Sequence, residues 1–137
     1  MRKFIVSIDQ GTTSSRAILF DLKGKPVFVS QLEFTQYFPK DGWVEHNPEE
    51  IWSTTQKVLK KVIQKSKSLK GKILTIGITN QRETTILWDK HTGKAVYNAI
   101  VWQDRRAVEY CNKLIKQKKE TLIYNKTGLL IDAYFSA

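Results

Sequence analysis

Two short apolar segments separated by a polar loop constrain the fold of this chain more than any other feature. The apolar segments are residues 5–8 (IVSI) and 18–20 (ILF), whose β-branched and aromatic side chains favour buried strands. Between them lies the polar segment DQGTTSSR at residues 9–16. The pattern predicts a strand over residues 3–9, a polar hairpin loop, and a second strand over 15–21.

The composition of this loop suits a polyphosphate and a metal ion. Gly11 has no Cβ, so it can adopt positive φ and let the backbone approach an anion. Exposed N–H groups and the four hydroxyls can donate to phosphate oxygens. Asp9 can hold Mg²⁺ through water, and Arg16 can spread its donors over a phosphate. A hairpin with a solubilising tip is the alternative, although such turns seldom need eight consecutive polar residues.

The next segments predict a third strand and a long helix. A turn at residues 23–26 leads into a strand near 26–34, so the chain begins with an antiparallel meander. Asn47 as N-cap, with Pro48 and Glu50 after it, is typical of a helix start. We expect this helix to run to about Ser66. Its apolar face is predicted to hold Ile51, Thr55, Val58, Leu59, Val62 and Ile63.

The second half of the chain predicts alternating strands and helices. Further strands are predicted at residues 73–78, 84–89 and 95–102. Asp104 is expected to cap a second helix, and a short helical piece is expected near 119–124. The inner face of the second helix is predicted to consist of Ala107, Val108, Cys111, Leu114 and Ile115. This order of elements indicates an α/β layered fold of one-domain size.

The loop at 9–16 resembles the first phosphate loop of the sugar and polyol kinases in the actin-like ATPase superfamily. It is not a Walker loop, because it has no Gly-Lys-Ser/Thr and no helix directly after it. Three further segments narrow the resemblance to the glycerol kinases. They are residues 42–46 (GWVEH), 77–85 (GITNQRETT) and 98–103 (NAIVWQ).

That resemblance implies a ribonuclease-H-like fold: a mixed sheet, with three antiparallel strands first and helices packed on it. Residues 1–137 would form the N-terminal ATPase-type lobe of a carbohydrate kinase, with the end of that lobe and the whole second lobe lying further along a longer protein. The aspartate that acts as catalytic base in the family would also lie beyond residue 137, so no catalytic residue is expected here. The isolated chain is therefore expected to be inactive.

The resemblance also implies roles for individual residues. Those expected to contact the phosphates of ATP are Gly11, Thr12, Thr13, Ser14 and Arg16. Mg²⁺ would lie near Asp9, held through water. Those expected to bind glycerol are Arg82, Glu83, Trp102 and Tyr134. The family usually has proline where this chain has Ala133, just before the tyrosine.

Arg82, Glu83 and Trp102 each have a plain structural alternative, and only the resemblance assigns Trp102 to the substrate pocket. Arg82 and Glu83 follow the strand at 73–78, where α/β folds expose ligand-binding residues. A donor fork beside an acceptor suits hydroxyls, which both donate and accept. A surface ion pair is the alternative, worth about 0–1 kcal/mol. Trp102 could cover a carbon chain, or it could be a core tryptophan.

The positive net charge also allows a nucleic-acid-binding function to be considered. The formal net charge is +10, and twelve of the 23 basic residues lie in two segments, 57–72 and 113–126. A nucleic-acid-binding module is one interpretation, but 57–72 contains no aromatic residue or arginine, so solvated helix faces are favoured. A single cysteine, Cys111, fits a reducing cytoplasm, and no apolar run is long enough to span a membrane.

Within the same fold, a kinase of another sugar or polyol and a non-catalytic scaffold are the remaining alternatives. The partners that the resemblance implies are glycerol and ATP, and the longer protein is expected to be a homo-oligomer.

Overall fold

The computed structural model describes residues 1–136, which form two compact units. The first unit contains residues 1–35 and 47–81, and the second contains 36–46 and the described residues 82–136. The strands are β1 (Arg2–Gln10), β2 (Ser14–Phe20), β3 (Pro26–Glu33), β4 (Glu45–His46), β5 (Gly71–Asn80) and β6 (Ala99–Ile100). The helices are α1 (Pro48–Ser68), α2 (Val108–Lys116) and α3 (Glu120–Thr127).

A four-stranded mixed sheet with the order β3-β2-β1-β5 forms the body of the first unit. The strands β1, β2 and β3 are antiparallel, which confirms the predicted meander. The strand β5 is parallel to β1, since α1 carries the chain from one end of the sheet back to the other. The pairing places Asp9 beside Arg16 on β2 and beside Thr79 on β5.

The hydrophobic core lies between this sheet and α1. Its buried members are Phe4, Val6, Ile8, Ala17, Leu19, Val58 and Val62. The strand residues alternate along β1 and β2, because successive side chains point to opposite faces of a strand. Ile5 therefore lies on the opposite face and is partly exposed, contrary to its predicted burial.

The start of α1 is as predicted, but its buried face differs. The Asn47 side chain accepts a hydrogen bond from the N–H of Glu49 at 2.9 Å, and Pro48 is the first helical residue. Glu50 does not complete a capping box, because its carboxylate accepts from the N–H and hydroxyl of Thr35 instead. The buried residues of α1 are Ile51, Thr54, Val58, Val62 and Ser66. Ile51, Val58 and Val62 are buried as predicted, whereas Thr55, Leu59 and Ile63 are only half-buried. Thr54 and Ser66, which were not predicted, complete the buried face.

The predicted strands at 84–89 and 95–102 are wrong in extent. The second of them is reduced to β6, which pairs with β4, and isolated bridges join Thr85 to Ile100 and Trp88 to Ala95. The apolar residues of these segments, such as Leu87 and Val96, are exposed. Strand formation depends on neighbouring strands and burial, which apolar composition alone does not supply.

The helices of the second unit begin later than expected. Asp104 does not cap α2, whose N-cap is Ala107 with no side-chain hydrogen bond. The expected inner face is also wrong, because no residue of α2 is buried and Cys111 is only half-buried. The short helix predicted near 119–124 is confirmed as α3, which ends at Gly128 in the left-handed conformation. Within residues 1–136 no helix is long and apolar enough to cross a membrane.

Candidate functional site

The hairpin between β1 and β2 is tighter than the sequence predicts. Gln10 pairs with Ser15, and Asp9 pairs with Arg16, so both strands run into the segment predicted as a loop. Only residues 11–13 lie outside the strands. The eight-residue loop is therefore a three-residue tip on a paired base, and the predicted phosphate ligands are divided between the tip and β2.

Gly11 is needed for close packing rather than for positive φ. Its φ is not in the left-handed region, which corrects the expected conformation. Its N–H donates to the carbonyl of Ser14 at 2.9 Å across the turn. A Cβ at this position would lie 3.3 Å from the same oxygen, which is a tight contact. The glycine thus allows the backbone to close the tip.

The hydroxyls of this segment have different environments. Ser15 is fully buried, and its hydroxyl is hydrogen-bonded to those of Thr54 at 2.9 Å and Thr55 at 3.1 Å on α1. Ser14 accepts from the side-chain amide of Gln31 at 2.8 Å. Thr13 is exposed at the tip. The fourth hydroxyl of the loop, that of Ser15, therefore anchors the hairpin to the helix.

Asp9 and Arg16 form an ion pair at the base of the hairpin. The guanidinium Nη2 lies 2.5 Å from Oδ2 of Asp9, and the two side chains are 43% and 34% exposed. Arg16 Nε is buried and has no hydrogen-bond partner within the described part of the chain. The structure thus brings together the residues predicted for phosphate and for Mg²⁺. At the mouth of a loop, the carboxylate can bind a cation and the guanidinium can bind an anion such as a phosphate.

The predicted polyol residues lie in the second unit, beginning directly after β5. Glu83 adopts a φ of 61°, in the left-handed region that residues with a side chain rarely occupy. Its Oε2 accepts hydrogen bonds from the N–H and the hydroxyl of Ser136, both at 3.0 Å. These two bonds lower the pKa of the Glu83 carboxyl below its ordinary value.

Arg82 does not form the surface ion pair that was the alternative for this segment. It is exposed, and its guanidinium makes no ion pair with any residue among 1–136. Its charge acts on the neighbouring Glu83 only through the field between them. The partner of the glutamate is Ser136, a residue that sequence reasoning did not select.

Trp102 and Tyr134 are in contact. Their ring centroids are 5.6 Å apart in an edge-to-face arrangement, and Phe135 packs against the tyrosine at 5.0 Å. Trp102 is only half-buried and Tyr134 is partly exposed, so the pair is not a core cluster. The tyrosine N–H donates to the side chain of Asp132 at 2.7 Å, which fixes the backbone around Ala133.

A buried charge cluster in the second unit was not predicted. Arg106 donates through Nη2 to Glu45 and through Nε and Nη2 to Asp104, at 2.8–2.9 Å. Both carboxylate side chains are 3% exposed. The guanidinium carbon also lies 3.7 Å from the ring centroid of Trp43. We refer to these four residues as the Arg106 cluster.

Each carboxylate of the Arg106 cluster has additional donors. Glu45 accepts from the hydroxyl of Tyr97 and the amide of Asn98, and Asp104 accepts from the N–H of Val44 at 2.7 Å. Burial raises the pKa of both carboxyls, but the donors outweigh it and leave both pKa values below their ordinary range. The pKa of Arg106 is raised by the same contacts. All three groups are therefore held in their charged forms.

A signal for this cluster was present in the sequence. Residues 42–46 contain Glu45, and the segment 98–103 is followed at once by an aspartate and two arginines. These segments carried the family resemblance, yet their charged residues were not linked to one another. Which arginine pairs internally depends on the path of the backbone between residues 101 and 107.

A family model for the N-terminal domain of the FGGY family of carbohydrate kinases matches residues 4–137. The chain belongs to the FGGY family. Among its curated relatives, glycerol kinase from Marinomonas sp. (strain MWYL1) is 61% identical over the whole chain, which covers 28% of that protein. Glycerol kinase from Petrotoga mobilis is 57% identical over 99% of this chain and 27% of its own length. The chain thus spans about a quarter of the length of these relatives.

Solved structures of FGGY kinases resemble this chain closely. A Plasmodium falciparum glycerol kinase with ADP has a TM-score of 0.92 and 39% identity, covering 99% of this chain and 27% of its own. A gluconate kinase from Lactobacillus acidophilus has a TM-score of 0.88 and 26% identity, covering 98% of this chain and 26% of its own. The predicted resemblance and the predicted actin-like ATPase fold, with an incomplete N-terminal domain, are both confirmed.

Proposed function

We propose that this chain is the N-terminal lobe of a glycerol kinase, which transfers the γ-phosphoryl group of ATP to a hydroxyl of glycerol and gives glycerol 3-phosphate. The observation that carries the proposal is the arrangement in the second unit. There a charged carboxylate, Glu83, is tied to the segment whose tyrosine packs on Trp102. An acceptor next to an aromatic surface suits a small polyol, and the most similar curated relatives reported above are glycerol kinases.

Each polyol residue has a distinct role in this proposal. Glu83 accepts a hydrogen bond from one glycerol hydroxyl, and exposed Arg82 donates to another. The hydroxyl of Tyr134 donates to the substrate, while the face of Trp102 covers its carbon chain. The two aromatic rings also reduce the access of water to the bound alcohol, which limits competing hydrolysis of ATP.

The tip of the β1–β2 hairpin is the proposed site for the phosphates of ATP. Thr12, Thr13 and the backbone at Gly11 donate to phosphate oxygens, with Ser14 and Arg16 at the base. Asp9 fits Mg²⁺, because a single carboxylate with phosphates and water is a common ligand set for this ion. When bound, Mg²⁺ neutralises the charge of the transferring phosphoryl group. Arg16 would then exchange its bond with Asp9 for one with a phosphate.

No general base is assigned within this chain. Each carboxylate near the proposed ligands already has a role, Asp9 with the metal and Glu83 with the alcohol. The base and the adenine site are proposed to lie in the longer protein, in the part beyond residue 137. We also propose a cytoplasmic location, on the single cysteine Cys111, and a homo-oligomeric assembly of the longer protein.

The test is steady-state kinetics of that longer protein with two variants. Arg16→Ala is expected to weaken nucleotide use by about ten- to a hundredfold, because charge-assisted bonds to phosphate are lost, and to leave the KM for glycerol nearly unchanged. Glu83→Gln is expected to weaken the use of glycerol and to leave the KM for ATP nearly unchanged. Matched controls are Arg2→Ala and Glu109→Gln, which change exposed residues outside both sites. If neither variant separates glycerol from ATP, the residue assignments are wrong.

A kinase of another sugar is the second candidate, because gluconate and xylulose kinases share this fold at TM-scores of 0.88. Comparing kcat/KM for glycerol, gluconate and xylulose distinguishes the two. A nucleic-acid-binding role stays a weaker alternative, since most lysines of α1 are spread over its exposed face. Such a role predicts an affinity for polyanions that falls steeply with salt.

A further inference from the structure

Ser136 makes a two-point contact with one oxygen of Glu83. Both its N–H and its hydroxyl donate to Oε2, each at 3.0 Å. The other oxygen, Oε1, accepts no hydrogen bond from any residue in the part of the chain that the structure describes. The carboxylate is therefore held by one oxygen, and its second oxygen is available to a ligand.

The backbone of Glu83 gives an independent reason to expect a positioning contact. Its φ of 61° is unfavourable for a residue with a Cβ. Such conformations persist where the surrounding structure holds them, and they are found preferentially at ligand-binding positions. The bonds from Ser136 hold the side chain of this residue in one place.

Hydrogen bonds hold the segment 132–136 at both of its ends. At residue 132, the aspartate accepts from Arg105 Nη1 at 3.0 Å and from the N–H of Tyr134 at 2.7 Å. At residue 136, the serine is bound to Glu83. Between these ties, Tyr134 lies edge-to-face on Trp102. One contact at Ser136 thus connects the carboxylate to the aromatic pair.

We propose that Ser136 is a positioning residue for the alcohol substrate, which orients Glu83 through Oε2 so that Oε1 accepts from a substrate hydroxyl, and which keeps Tyr134 seated on Trp102. The proposal rests on the proposed function, because it concerns the same alcohol site. The proposal adds Ser136, which acts on the alcohol site only through its contact with Glu83. Because serine is neither charged nor aromatic, its side chain did not stand out in the sequence.

The test compares Ser136→Ala and Ser136→Thr in the longer protein, with glycerol and ATP varied separately. The alanine variant keeps the backbone N–H and loses the hydroxyl bond to a charged acceptor, so we expect the KM for glycerol to rise about three- to tenfold. The KM for ATP is expected to stay within about twofold. The threonine variant, which keeps a hydroxyl, is expected to restore most of the affinity for glycerol. Ser68→Ala, at the exposed end of α1, is the matched control.

The outcomes separate this proposal from the proposed function. If the unmodified protein phosphorylates glycerol and Ser136→Ala leaves its KM for glycerol unchanged, the positioning role is wrong and the function stands. Equal increases in both KM values, together with a lower melting temperature, would show a purely structural role and overturn the proposal. A threonine variant as impaired as the alanine variant would also overturn it. If the unmodified protein phosphorylates no glycerol, the proposed function fails, and this inference fails with it.

Discussion

Replacing Arg106 by methionine is the sharpest test of how the second unit is held together. Methionine keeps most of the length and apolar stem of the side chain but removes the guanidinium. Glu45 and Asp104 would then lose their shared cation while both remain buried. The contact with the ring of Trp43 would lose its charge as well.

The cost follows from what remains around each carboxylate. Removing one partner of a buried ion pair typically costs about 3–5 kcal/mol, because the other charge is left without compensation. Here Glu45 keeps two side-chain donors, and Asp104 keeps the backbone N–H groups of Val44 and of residue 106. The lower end of that range applies, so we expect a loss of about 3 kcal/mol in the free energy of unfolding at pH 7.

The pH dependence provides a second check with a definite sign. In the native chain the pKa values of Glu45 and Asp104 lie below their ordinary values of 4.5 and 3.8. Their contribution to stability is therefore present above those values and is lost as pH falls through the lower native pKa values. Without the cation, burial raises both pKa values. Protonation of the two carboxylates then removes their unpaired buried charge. The difference in the free energy of unfolding between the native chain and the variant is therefore expected to shrink as pH falls from 7 towards about 4.5.

The assay is urea denaturation at pH 7 and pH 5, followed by tryptophan fluorescence and circular dichroism. The matched control is Arg105→Met, which removes the neighbouring arginine from an exposed pair with Asp132. That pair is worth about 0–1 kcal/mol. If Arg106→Met costs no more than the control, or if its deficit grows on acidification, the buried cluster does not stabilise the unit as argued.

Two further predictions concern the sheet and the chain as a whole. Gly71→Ala should lower the free energy of unfolding by about 1–3 kcal/mol, because the added Cβ would lie 2.1 Å from a ring carbon of buried Phe4. Gly77→Ala should be nearly neutral, because an added Cβ there would meet nothing within 4 Å. Thermal melts of both variants check this prediction. Purified 1–137 should show no ATP-dependent phosphorylation of glycerol in a coupled assay, since transition-state stabilisation needs a base and a nucleoside site that we assign beyond residue 137. Turnover that disappears on changing Arg82 would contradict our account.

Local patterns predicted the first unit well. The antiparallel meander of β1, β2 and β3 and the cap at Asn47 depend on neighbours close in sequence, and both were confirmed. The second unit was predicted poorly, because its short strands and isolated bridges depend on partners far away in the chain. The same holds for Asp104, whose donor Val44 is sixty residues earlier.

The sequence by itself determined the family, the order of the main elements and the residue types at both proposed ligand sites, because these are carried by contiguous motifs. Only the tertiary structure decided how those residues are used. In it, the Ser15 side chain points inward and bonds to α1, and Asp9 forms an ion pair with Arg16. The Glu83 carboxylate accepts hydrogen bonds from Ser136 and forms no ion pair with its neighbour Arg82. Such pairings depend on where separate segments of backbone meet, and that information is absent from any single segment.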